Sequence, residues 1–161
     1  MDTRSAIVLR KLQRGKTVSN YAKILIAIDL SEESLPIVKR GCAMAAEKAA
    51  EVHLIHVIEP LSFAYGGDIP MDFSGIQEEI SEQARAQLAK VGEDYGVEAS
   101  HQHTVFGRPE VEIHQMAEQL GSDLIVVGSH GRYGLALLMG STANGVLHGA
   151  SCDVLAVRVG N

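Results

Sequence analysis

A chain of 161 residues has room for one domain with a substantial core and little room for a second. Its formal net charge of −6 argues against nucleic acid as a partner, since such binders present a basic face, but a single nucleotide is allowed because backbone amides hold phosphates without net positive charge. No apolar run reaches the roughly 18 residues of a spanning helix, so no membrane partner is expected. Two cysteines, Cys42 and Cys152, make no disulfide framework and read as free thiols of a reducing compartment. With no convincing signal peptide, the expected location is the cytoplasm.

Residues 1–20 are basic and interrupted, and they precede the first clear core strand. A targeting peptide, an extra edge element and a leader all fit them. The expectation is an N-terminal extension dispensable for the fold, followed by a single domain over 21–161, although Ile7-Val-Leu9 has the character to pack somewhere. Lys23 to Asp29 reads as a buried strand ending in an acid, at the end where parallel sheets present ligand groups. Ser31 to Ser34 starts a helix with Pro36 near its first turn, and the apolar stripe runs to about Ala50. Val52 to Ile58 is the second strand, closed by Glu59-Pro60. His53 and His56 lie three apart and so face opposite sides of a strand, which is not a shared metal site.

Leu61 to Ser74 carries Gly66, Gly67 and Pro70 and reads as a loop able to fold over a ligand. Ile76, Ile80, Ala84, Leu88 and Val91 repeat at helical spacing up to Gly96. Val97 to Val105 alternates as a third strand. It places His101 and His103 on one face, but no third ligand is near in sequence, so no metal is expected. Gly107-Arg-Pro109 turns into a helix ending at Gly121, and Leu124 to Val127 is a continuous apolar run, the pattern of a strand buried on both faces. A helix from about Ser141 to His148 and a fifth strand, Asp153 to Arg158, complete the alternation. Right-handed crossovers then predict an α/β fold: a five-stranded parallel sheet with helices on both faces, a Rossmann-like three-layer sandwich.

The stretch with the most chemistry follows the fourth strand. Gly128, Gly131 and Gly134 stand at three-residue spacing, so backbone N–H donors can converge on one point, and Gly140, Ser141 and Thr142 come where a helix begins. A helix N-terminus favours negative charge, and the joint reading is a phosphate cradle. A tight βα turn is the plain alternative. The loop holds no lysine, which excludes a Walker motif, and its spacing and late position are not those of the dinucleotide fingerprint.

Over about residues 21–159 the sequence resembles the universal stress protein family. The resemblance rests on Ile26-Ala-Ile-Asp29 with Ser31-Glu32, on Leu54-Ile-His-Val57, on Gly107-Arg-Pro109, on Asp123 to Gly131, on Gly140-Ser141 and on Asp153 to Arg158. It implies a nucleotide-binding type of fold, a homodimer, and membership of either an ATP-binding or a non-binding branch. Carried over residue by residue, it implies adenine and ribose near Asp29 and Val57, and phosphates at Gly128, His130, Gly131, Gly140 and Ser141, with Val127, Ser129 and Thr142 adjacent. Mg²⁺ or Mn²⁺ would accompany ATP on its phosphates. One departure stands out: Arg132 to Met139 make eight residues where the ATP-binding branch typically has nine.

The expected function is a stress protein holding ATP as a regulatory or slowly hydrolysed ligand. The alternative is a non-nucleotide, dimeric interaction protein of the same fold. Enzyme activity beyond a weak ATPase is not expected, because the adjacent Ser129 and His130 cannot supply the geometry of a nucleophile with its separate base and acid. The last strand is apolar with no sequence left to cover its edge, and a homodimer through it is expected.

Overall fold

Leu124, Ile125 and Val126 have no accessible surface, nor do Ile24, Leu25 and Ile26, and strands apolar on both sides must lie inside a sheet covered twice. The computed structural model describes residues 6–9, 21–60, 74–129 and 140–159. In chain order they form β1 (Ala6–Leu9), β2 (Lys23–Ala27), a 3-10 turn (Glu32–Ser34), α1 (Leu35–Lys48), β3 (Glu51–Ile58) and α2 (Ser74–Tyr95). There follow a second 3-10 turn (Ala99–His101), β4 (Gln102–Phe106), α3 (Pro109–Leu120), β5 (Leu124–Gly128), α4 (Ser141–Gly149) and β6 (Asp153–Val157). The sheet order is β1-β6-β5-β2-β3-β4. Strands β2 to β6 are parallel throughout, as expected.

Each face of the sheet has its own core. Ile24, Ile26, Leu54, Leu124, Val126 and Leu155 pack with Val38 of α1 and Leu88 of α2. On the other face Leu25, Ile55, Ile125 and Val154 meet Ile113 of α3 and Val146 of α4. Helix α1 lies close to the sheet because Gly41 has no side chain: an added Cβ would stand 2.9 Å from Ile26 Cγ1. At the amino ends of the strands, Asp123 Oδ2 accepts the backbone N–H groups of Ala22 (2.9 Å) and Lys23 (3.2 Å), and the Tyr21 hydroxyl donates to Asp153 Oδ2 at 2.9 Å. These carboxylates tie β2, β5 and β6 together at the end opposite the strand carboxyl termini.

Two expectations need correction. The third strand begins at Gln102, not Val97, because the chain is still closing α2: Val97 N–H donates to the Gly92 carbonyl at 2.8 Å, and His101 N–H returns to Glu98 at 2.9 Å in a 3-10 turn. The edge at β6 is also not open. Strand β1 pairs with it antiparallel, Ala6 opposite Val157 and Leu9 opposite Val154, so the sheet carries a sixth strand drawn from the N-terminal segment. Of the loop expected over Leu61 to Ser74, residues 61–73 lie outside the described residues, and Ser74 already begins α2.

Candidate functional site

Strand order reverses at the β2–β5 pair, since β3 and β4 extend the sheet on one side and β6 on the other. A crevice opens beyond the carboxyl ends there. Strand β2 makes its last bond through Ile28 N–H to the Ile55 carbonyl at 3.0 Å, and His56 Nδ1–H donates to the Ile28 carbonyl at 2.9 Å. The chain then turns sharply, with Leu30 at φ +61°, a conformation that costs a side-chain-bearing residue free energy and clusters at functional sites. Asp29 organises this turn. Its Oδ1 accepts from Ser31 N–H (3.0 Å), from the Ser31 hydroxyl (2.5 Å) and from the Ser34 hydroxyl, while its own N–H donates to Ser34 Oγ at 3.2 Å.

The opposite wall is the end of β5 and the start of α4. Ser129 N–H donates to the Val157 carbonyl and Gly140 N–H to the Ser129 carbonyl, both at 2.7 Å, which brings the two ends of segment 130–139 together beside the crevice. The first intrahelical bond of α4 runs from Asn144 N–H to the Gly140 carbonyl at 2.9 Å, and no side chain caps the helix. The N–H groups of its first turn, Ser141 to Ala143, precede that bond, and these residues line the crevice. Helix α3 forms the third wall with Pro109 and Ile113. Its entry requires Gly107: φ is +153°, and a Cβ would run into the Glu112 side chain, 2.7 Å from Cγ.

Of the residues singled out from sequence, Asp29, Val57, Val127, Gly128, Gly140, Ser141 and Thr142 line one cavity of about 170 Å³. Ser129 stands next to it, engaged through its backbone, and His130 and Gly131 lie outside the described residues. The structure adds Ala27, Ile37, Ile55, Pro109 and Ile113 as an apolar floor. These read as core residues in the sequence, and only Pro109, in its Gly-Arg-Pro turn, carried a signal of its own. Asp29 is the one acid among the described lining residues. A cation brought with a nucleotide would therefore be held largely by phosphates and water, as Mg²⁺ usually is.

These features define a doubly wound, three-layer α/β protein with a crevice at the topological switch point. A model of the universal stress protein family matches residues 20–158, and the chain belongs to that family. It is 40% identical over 146 residues to universal stress protein A homolog 2 of Coxiella burnetii, covering 88% of this chain and 98% of the relative. It is 42% identical over 140 residues to homolog 1 of the same organism, covering 86% and 96%. Among solved structures the protein MJ0577 superposes with a TM-score of 0.74 at 29% identity, covering 88% of this chain and 98% of that one. A universal stress protein in complex with cAMP shares the fold, with a TM-score of 0.59 at 23% identity over 87% and 98% of the two chains. No helix among the described residues is long and apolar enough to cross a membrane.

Proposed function

We propose that this universal stress protein binds an adenine nucleotide, ATP, in the crevice at the β2–β5 switch point and uses it as a regulatory ligand. The observation that carries the reading is the uncapped start of α4, Gly140 to Ala143, opening into a cavity whose other rim is Asp29 and whose floor is apolar. The first-turn N–H groups and dipole of a helix favour phosphate, and an apolar floor suits a base. Asp29 would serve the ribose side, with Oδ1 anchored by Ser31 and Ser34 so that the carboxylate is held in place. Gly128, Gly131, Gly140, Ser141 and Thr142 would hold the phosphates, and Mg²⁺ or Mn²⁺ would neutralise part of their charge. Among the described residues lining the crevice no histidine or cysteine stands ready as a base, and hydrolysis is assigned at most a slow rate.

Titration calorimetry with ATP, with and without Mg²⁺, tests the reading. Wild type should give saturable heat. Ser141→Ala should lose about 1 kcal/mol, the worth of one hydroxyl hydrogen bond, and Gly131→Val should abolish binding with the fold intact. Absence of heat, together with no nucleotide released from the purified protein on denaturation, would replace this reading by the interaction-protein alternative. We propose that a homodimer contact forms at the β6 edge only where β1 leaves it, since β1 and a second copy compete for the same ladder.

A further inference from the structure

We infer that Glu51, His53 and His101 form a binding site for one divalent transition metal ion, of the zinc type, at the amino end of the β3–β4 edge of the sheet. This end is opposite the nucleotide crevice and is used by nothing described above.

Residues of odd number on β3 share the face of Ile55, so Glu51 and His53 project together, and the 3-10 turn at Ala99–His101 folds His101 back over them. His53 Nε2 lies 2.5 Å and His101 Nε2 4.0 Å from Glu51 Oε1, and one ligand atom from each of the three residues lies within 4.8 Å of the others. The His53 and His101 rings are 4.2 Å apart between centroids. In a tetrahedral site with bonds near 2.1 Å, ligand atoms stand roughly 3.4 Å apart. An ion needs the Glu51–His53 contact to open and the His101–Glu51 contact to close, each by less than about 1 Å on that geometry. Two imidazoles and a carboxylate leave the fourth position to water.

The outer partner is in place as well. His53 is 3% exposed, and its Nδ1 lies 3.0 Å from His103 Nε2. Metal-ligating histidines generally hand their second nitrogen to an acceptor that fixes tautomer and ring orientation. Without metal, His103 Nε2–H donates to His53 Nδ1 and His53 Nε2–H to Glu51. With metal on His53 Nε2, both rings change tautomer, so that His53 Nδ1–H donates to His103 Nε2 and the proton count is unchanged. Lys23 Nζ, 3.3 Å from Glu51 Oε1, is the competing cation.

The probe is Zn²⁺ titrated calorimetrically into the full-length, nucleotide-free protein, with Co²⁺ absorption reporting coordination geometry. One ion per chain should bind, with visible Co²⁺ bands of tetrahedral intensity and a raised melting temperature. His101→Ala and Glu51→Gln, both at accessible positions, should each weaken binding by about 100-fold, and His103→Phe by roughly 10- to 100-fold. Lys23→Met should tighten it, and His148→Ala, on the exposed end of α4, should leave it unchanged. Substoichiometric or absent binding overturns the site. So does binding that survives both His101→Ala and Glu51→Gln, which would place the ion on scattered surface histidines.

Discussion

Cys152 shows how a residue's surroundings set its chemistry. Burial first, then the charges of Asp153 and Asp123, push its thiol up to about 11. At pH 8 the reactive thiolate is then about one part in a thousand, far less than in an unperturbed cysteine. Native protein should react with a thiol reagent at pH 8 about a hundred times more slowly at Cys152 than unfolded protein does, and equal rates would refute the assignment. The sign for stability follows from the raised value. The contribution is full below the unfolded thiol's range and is lost as pH rises toward 11. Cys152→Ala should flatten that alkaline loss.

At the scale of elements, the packing of α3 on α4 depends on two small residues one turn apart. A Cβ on Gly145 would stand 2.9 Å from Glu110 Cβ, and one on Gly149 would run into the His114 ring, 2.8 Å from Nδ1. His114 Nε2–H also donates to the Val146 carbonyl at 2.9 Å, near the end of α4. Because α3 and α4 form two walls of the crevice, their spacing sets its width. Gly149→Val should cost about 1–3 kcal/mol by overpacking and weaken the proposed nucleotide binding, whereas Gly75→Ala, with nothing within 4 Å, should gain up to about 1 kcal/mol of helix propensity. Urea unfolding of the two variants measures this, and a Gly149→Val protein as stable as wild type would contradict the packing argument.

For the whole molecule, the decisive feature is the edge of β6. Its core residues Val154, Leu155, Ala156 and Val157 are buried, and its outer ladder is taken by β1. Among the residues whose burial is described, both cores lie between Ile24 and Val159, and a chain beginning at Tyr21 is expected to keep the fold. It would, however, uncover a row of unpaired backbone groups, which invites a second copy. Light scattering should therefore find the truncated chain as a dimer at concentrations where the full chain is a monomer. A truncated chain that stays monomeric, or unfolds, would show that β1 does not compete with a partner for this edge.

The doubly covered parallel sheet was legible in the sequence because unbroken runs such as Leu124 to Val127, separated by helical periods, admit few other architectures. The crevice was legible for a related reason: Asp29 follows the end of β2 and Gly128 ends β5, and topology carries the carboxyl ends of adjacent parallel strands to one place. What tertiary structure alone decided are the contacts between residues distant in the chain. His101 and His103 had no neighbour of their kind nearby in sequence, and β3 brings Glu51 and His53 beside them across roughly fifty residues of chain. The apolar floor of the crevice was indistinguishable from core, since Ile55 and Ile113 are buried in the sheet–helix core and also line the crevice. Ile7 to Leu9 carried an apolar pattern with no stated destination, because a strand's partner is set by which edge remains unpaired once the sheet is assembled.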